Sequence, residues 1–142
     1  MPLIKSISGI RGTIGGRTAD NLTPLDTVKF TSAYAGWLLK ENRGKKKLKV
    51  VIGRDARISG PMVHSLVAAT LSGMGIDVVD LGLSTTPTVE VMVVFHQADG
   101  GIILTASHNP KEYNGYKVYG PDGGQLPPDA ADVVVAAIDS YD

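Results

Sequence analysis

The residues best suited to chemistry in this chain lie in four short runs. The most informative is Thr105-Ala106-Ser107-His108-Asn109-Pro110. Ser107 offers a hydroxyl, His108 and Asn109 follow it directly, Pro110 restricts the backbone of Asn109, and Lys117 lies ten residues on. A hydroxyl beside His, Asn and Lys suits nucleophilic or phosphoryl-transfer work, with His or Lys handling protons. A serine in such a place also serves as an ordinary turn or cap residue, and His108 as a hydrogen-bonding loop residue. A second run is Ser8-Gly9-Ile10-Arg11-Gly12-Thr13. Glycines around Arg11 allow close backbone approach, and a guanidinium grips phosphate through two parallel hydrogen bonds. Its plainer reading is a glycine-rich turn carrying an exposed arginine. In the third, Gly53-Arg54-Asp55-Ala56-Arg57, the arginines either meet an anion or are simply oriented by Asp55. The fourth, Ser84-Thr85-Thr86-Pro87, reads as a helix start whose threonines cap the helix and also line a site, because a helix N-terminus suits anions.

Other chemistries find little support. There is no G-x-x-x-x-G-K-[ST] phosphate loop and no G-x-G-x-x-G fingerprint, which makes nucleotide hydrolysis and nicotinamide chemistry poor expectations. No His-Glu cluster has metal-ligand spacing, and His64 and His96 sit inside helical patterns where a structural role is the simpler account. With no cysteine there is no disulfide framework, thiolate nucleophile or sulfur-bound zinc. Fourteen Lys and Arg balance fourteen Asp and Glu, which argues against a protein built to coat nucleic acid or an anionic membrane. No apolar run approaches the ~18 residues of a membrane span, and Met1-Pro2-Leu3-Ile4-Lys5 lacks the plan of a secretory signal. A cytoplasmic soluble domain is the resulting expectation.

The elements that must position these runs alternate along the chain. At 142 residues and 43% hydrophobic, the chain is expected to form one domain over residues 1–142 with an ordinary core. Leu3 to Ser8 predicts a short strand, followed by a glycine-rich turn from Gly9 to Gly16. Thr23-Pro24 starts a helix ending near Glu41, with Leu25, Val28, Ala35 and Leu39 on its apolar side. Six of the fourteen basic residues then crowd between Lys40 and Lys49, as a solvated loop or, less simply, a phosphate-binding patch. Val50-Val51-Ile52, Asp77–Leu81 and Ile102-Ile103-Leu104 read as strands. Gly60-Pro61 opens a helix that Gly75 ends, and Thr86-Pro87 opens another. Tyr116 to Tyr119 is reached through a segment too short for a crossover helix, so it is expected to run antiparallel. Asp129 to Ile138 repeats the helical pattern. The predicted fold class is α/β, a three-layer arrangement with a mostly parallel, mixed sheet of about four strands covered by helices.

This topology carries a functional corollary. Segments that follow parallel strands gather at one edge of the sheet, where open α/β folds bind ligands. The runs beginning at Gly53, Ser84 and Thr105 are therefore expected to converge.

Taken in order, the four runs resemble the first domain of the α-D-phosphohexomutases, the family of phosphoglucomutase, phosphomannomutase and phosphoglucosamine mutase. Thr-Ala-Ser-His-Asn-Pro followed by Asn114-Gly115-Tyr116-Lys117 is the specific part of the match. The resemblance implies that Ser107 carries a phosphoryl group and passes it to a hexose monophosphate. The bound 1,6-bisphosphate then returns its other phosphate, interconverting hexose 1-phosphate and 6-phosphate. It implies a Mg2+ ion on the phosphoserine oxygen of Ser107 and three aspartates, and an activator of the glucose 1,6-bisphosphate type. Arg11 and Lys117 match residues implicated in acid/base work, and His108 and Asn109 match the loop beside the serine. Ser8, Asn109, Arg54 and Thr85 are the expected contacts to substrate or phosphate. Base work by Lys117 would need positive charge nearby to release its proton.

The family's four-domain plan is not all present. No Asp-Gly-Asp-x-Asp-Arg metal loop and no Gly-Glu-x-Ser-Gly-His sugar loop occur in these residues. The chain is therefore expected to be an excised domain, inactive alone, whose partners are the remaining domains and a hexose phosphate, with no nucleic acid or membrane. Ser6-Ile7-Ser8, where phosphoglucosamine mutases usually carry Gly-Thr-Asp, leans towards a phosphoglucomutase/phosphomannomutase. Two other classes stay open: a free-standing phosphosugar-binding or regulatory module, and an interaction domain using the lysine-rich 40–49 loop.

Overall fold

Strands and helices alternate through ten elements in the computed structural model, which describes residues 3–6, 9–17, 21–57, 59–105 and 113–139. They are β1 (Ile4–Ser6), β2 (Gly9–Thr13), α1 (Pro24–Glu41), β3 (Lys49–Arg54), α2 (Gly60–Gly73), β4 (Asp77–Leu83), α3 (Thr86–Phe95), β5 (Gly100–Leu104), β6 (Tyr113–Tyr119) and α4 (Pro128–Asp139). The strands form one sheet in the order β1-β2-β6-β5-β3-β4. β3 is parallel to β4 and β5, whereas β6 is antiparallel to β5 and β2, and β2 to β1. The mixed α/β architecture and the antiparallel β6 stand as expected. The sheet has six strands, more than the about four expected for it and one more than the five segments read as strands. Gly9–Thr13 is the reason: glycines suggested a turn, but here they let β2 lie between β1 and β6, and a glycine inside a strand often marks such close approach.

Two-residue alternation sorts the strand side chains into layers. Val50, Ile52, Ile102 and Leu104 face the main core, which takes in residues of α1, α2 and α4. Val51 and Ile103 face the other way, against Val89 and Val93 of α3. The sheet is thus the middle of three layers. On its far side α3 leaves Val91, Val94 and Phe95 outward, the last 69% exposed.

The start of α1 follows from its sequence. Thr23 Oγ1 accepts the Asp26 N–H at 3.4 Å, the Asp26 carboxylate accepts the Thr23 N–H at 3.2 Å, and Pro24 occupies the first turn. Thr23→Ala is expected to cost about 1 kcal/mol, read as a lower urea midpoint. The buried face of α1 includes Ala35, as expected, but departs from the expected one at Leu25 and Leu39. Leu25 and Leu39 are 50% and 37% exposed, while Thr27, Phe30, Thr31, Tyr34 and Leu38 are buried. Thr27 and Thr31 can lie inside because each hydroxyl donates to the carbonyl four residues back, at 3.1 and 2.8 Å. Their polarity concealed the true stripe. Gly75 ends α2 as expected: at φ +84° it lets the Ile76 N–H reach the Leu71 carbonyl at 3.0 Å.

The basic 40–49 stretch lies at the start of β3. There Lys45 pairs with buried Asp99, which also accepts the Lys49 N–H at 2.9 Å, and Lys47 lies 3.4 Å from Asp77. This fits the solvated-loop reading, and it places those lysines at the opposite end of β3 from Arg54.

Three tyrosines hold their protons against alkali. Burial, and then the neighbouring Glu90 carboxylate, pushes the Tyr119 phenol from 10.0 up to about 12. Burial raises Tyr34 and Tyr116 further. Below pH 10 these phenols are neutral whether the chain is folded or not. As pH rises from 10.0 towards about 12 the unfolded chain ionises first, so stability is expected to fall across that window. The check is denaturant unfolding against pH with phenolate absorbance. Glu90→Gln should shrink the loss.

Candidate active site

The expected convergence of strand ends is present. The Asp55 N–H at the end of β3 donates to the Leu104 carbonyl at the end of β5, at 3.0 Å. The Ser84 N–H after β4 donates to the Arg54 carbonyl at 2.9 Å. Arg54 sits between Leu83 and Leu104 in the register of the three parallel strands, at the middle of this edge. Its guanidinium lies along Gly60 at the start of α2. Asp55 behaves as the plainer reading supposed. Its carboxylate accepts the Arg57 N–H at 3.1 Å and the Arg57 Nε–H at 3.3 Å, fixing that side chain.

Helix orientation adds to the positive character of the edge. α2 and α3 follow β3 and β4, so both N-termini lie there, and neither has an acidic residue in its first turn. By contrast, α1 and α4 carry Asp26 and Asp129 in theirs. Two uncompensated helix N-termini beside Arg54 and Arg57 favour an anion. Thr85 is the cap of α3, accepting the Thr88 N–H at 3.3 Å and sharing a hydroxyl–hydroxyl hydrogen bond with Thr88 at 2.8 Å.

Arg11 and Lys117 come together on the sheet. Arg11 pairs with Gly115, and Lys117 pairs with Gly9. Positions 115 and 117 share a face, so Arg11 and Lys117 are diagonal neighbours of the kind whose backbones lie about 7–8 Å apart. Ile10, Tyr116 and Val118 point into the main core, which turns both cations to the α3 side of the sheet. Each is half-buried, and Arg11 Nε is buried without a hydrogen-bond partner among the described residues. The two cations thus share one face of the sheet, and the Arg11 Nε–H is a donor without a partner among the described residues. Lys117 is opposite Ile103, one position in from the end of β5.

Ser107, His108 and Asn109, together with Ser8, lie outside the described residues. The segment holding the first three leaves from Thr105 and rejoins at Tyr113, and its base is closed by the Thr105 N–H donating to the Gly115 carbonyl at 2.9 Å. His64 lies in α2, and His96 follows α3, in the helical contexts the sequence suggested. His64 faces Asp80 at 3.3 Å, and His96 caps the C-terminus of α3. A contact that the sequence did not suggest joins Asn114, of the Asn-Gly-Tyr-Lys run, to Ser59 through a 2.8 Å hydrogen bond. Nothing in the residue pattern identified that pair, because the contact spans 55 positions.

The described residues do not supply a metal site of their own. Among them no group of three His, Asp or Glu side chains could hold an ion, and the Asp55 carboxylate is engaged with Arg57. No helix among them is long and apolar enough to cross a membrane.

A cationic edge at the strand ends of an open α/β/α domain, backed by two basic side chains on the sheet, is the class of anion-directed site that this chain builds. The chain belongs to the phosphoglucomutase/phosphomannomutase family, whose alpha/beta/alpha domain I matches residues 3–142. It is 42% identical over 114 residues to a phosphoglucomutase/phosphomannomutase of Thermococcus kodakarensis, covering 79% of this chain and 25% of that protein. A phosphoglucosamine mutase of Alkaliphilus metalliredigens is 40% identical over 133 residues, covering 94% and 27%. The crystal structure assigned as a phosphomannomutase from Thermus thermophilus superposes with a TM-score of 0.83 at 31% identity, covering 97% of this chain and 30% of that one. The chain thus spans only 25% to 30% of the length of these proteins. Relatives of both names match at similar identity, so the lean drawn from Ser6-Ile7-Ser8 does not separate them.

Proposed function

We propose that this chain is the phosphoserine-bearing first domain of a hexose-phosphate mutase, with residues 1–142 forming that one domain. The observation that carries the reading is the convergence of Arg54, Arg57 and two helix N-termini at one strand edge, with Arg11 and Lys117 on the adjoining sheet face and the Thr105 N–H bonded to the Gly115 carbonyl beside them.

In the proposed cycle the bond between phosphorus and Ser107 Oγ breaks while phosphorus bonds to a free hydroxyl of a hexose monophosphate. The hydroxyl proton passes to a basic group at the sheet, and Ser107 Oγ regains a proton. The sugar, now a 1,6-bisphosphate, returns its other phosphoryl group to Ser107 by the reverse of the same exchange. Lys117 is assigned proton handling, because its neutral amine takes a proton and its ammonium gives one back. Arg11 holds charge beside it, and its free Nε–H is a donor for a phosphate oxygen. Arg54, Thr85, Asn109 and Ser8 are assigned to the phosphate and sugar, and His108 to the loop beside the serine. Phosphoryl transfer is driven chiefly by positioning and by neutralising charge on the transferred group, and the positive edge is suited to that. The proposed Mg2+ would add Lewis-acid neutralisation, with the phosphoryl oxygen on Ser107 as its one ligand from this chain. The remaining ligands, the sugar-selecting groups and the contacts of a 1,6-bisphosphate activator are assigned to other domains of a longer parent, expected to act in the cytoplasm. The chain alone is then inactive.

The test is an assay of the longest natural form of the protein with the 1- and 6-phosphates of glucose, mannose and glucosamine, beside residues 1–142 alone. Interconversion by the long form only is expected. Saturable binding without turnover by either form would favour a phosphosugar-binding module instead.

A further inference from the structure

Asn114 is fully buried at the start of β6, and both ends of its side chain are used. Its Nδ2 donates to Ser59 Oγ at 2.8 Å, and its Oδ1 accepts the Gly115 N–H at 2.8 Å. Ser59 occupies the position before α2 where a serine ordinarily accepts an N–H of the first turn, yet its side chain makes no capping bond. Thr23 and Thr85, in the same position before α1 and α3, both make it. Ser59 has a helical backbone, φ −77° and ψ −6°, where Thr23 and Thr85 are extended, so it is not set to cap the first turn, and its hydroxyl accepts from Asn114 instead.

The pair joins two parts of the candidate site. Ser59 fixes the start of α2, against which Arg54 lies. Asn114 holds the N–H of Gly115, whose carbonyl closes the base of the 106–112 segment through Thr105 and whose backbone pairs with Arg11. Lys117 lies three residues further along the same strand. One hydrogen bond therefore links the anion-directed edge on β3 and α2 to the strand that carries the proton-handling group.

We propose that Asn114 and Ser59 are positioning residues for phosphoryl transfer, holding the anchor of the Ser107 segment and Lys117 in register with Arg54 and the start of α2. The inference rests on the reading of Ser107 as the phosphoryl carrier. Neither residue touches the substrate in it. They act through Gly115 and through α2.

The test uses the full-length protein and whichever hexose phosphate it turns over, at a temperature well below the melting point of every variant. Asn114→Ala and Ser59→Ala are each expected to lower kcat by about tenfold to a hundredfold, the scale of a small misplacement of reacting groups. KM should stay within about twofold, because the lost interaction is not with substrate. The double variant should be no slower than the slower single one, since both remove the same bond. Ser59→Thr, which keeps a hydroxyl, should recover most of the rate. Wild-type kcat in Ser59→Ala, losses that multiply in the double variant, or a defect confined to KM would overturn the proposal. If Asn114→Ala does not fold, Ser59→Ala and Ser59→Thr decide the matter alone. A wild-type protein with no transfer, or an active Ser107→Ala variant, would instead overturn the mutase reading beneath it.

Discussion

Ser107→Ala in the full-length protein is expected to remove hexose-phosphate interconversion, by about a thousandfold or more, with the melting temperature almost unchanged. A covalent carrier splits one difficult step into two easier ones, and without it the remaining groups have nothing to transfer. Binding should survive, because Arg11, Arg54, Arg57 and the open starts of α2 and α3 are untouched. The variant is therefore expected to bind hexose phosphate with near-normal affinity in calorimetry while showing no turnover. This separation distinguishes a carrier from a structural serine, whose loss would lower stability and leave some rate. Full activity in a folded Ser107→Ala protein would sink the carrier assignment.

The largest expected effect on the fold is at Gly115. A methyl group there would lie 2.1 Å from the Ile10 carbonyl oxygen and 2.7 Å from the Arg11 Cα. Both are backbone atoms of β2, so no side chain can swing aside. The reciprocal position is as tight, with a methyl on Gly9 lying 1.9 Å from the Tyr116 carbonyl oxygen. Relief would require β2 and β6 to separate, breaking the pairing that carries Arg11 and Lys117 together with the core positions Ile10 and Tyr116. Gly115→Ala is expected to cost about 3 kcal/mol or more, at the upper end of overpacking effects, and to lower activity even where the protein remains folded. Urea unfolding of the variant provides the check. A midpoint close to wild type would show that the two strands do not hold this spacing in solution.

Elements with clear punctuation were legible in the sequence. Thr23-Pro24, Gly60-Pro61, Gly75 and Thr86-Pro87 fixed the ends of three helices, because caps and prolines act locally. The convergence of the ends of β3, β4 and β5 was legible too, since parallel strands leave little choice of topology. What could not be read depends on distant partners. β2 looked like a turn because glycine is costly in an isolated strand, and only the closeness of β6 makes it necessary. The buried face of α1 was legible at Ala35 but not at Thr27 and Thr31, which satisfy their hydroxyls within the helix. Within the candidate site, the types of Arg11, Arg54 and Lys117 were readable, but their placement was not. Arg11 and Lys117 meet through a register set by β2 and β6, while Asp55 claims Arg57 and leaves Arg54 at the centre of the edge.

The central claim is that Ser107 carries a phosphoryl group. The most direct measurement is mass spectrometry of the protein purified from its own cells, intact and then as a peptide map over Ser107, before and after incubation with a hexose 1,6-bisphosphate. One phosphoryl group on Ser107, gained from the bisphosphate and lost to a hexose monophosphate, is the expected result. A Ser107 that is unmodified as isolated and stays so after the bisphosphate, in a protein that still interconverts hexose phosphates, would contradict it.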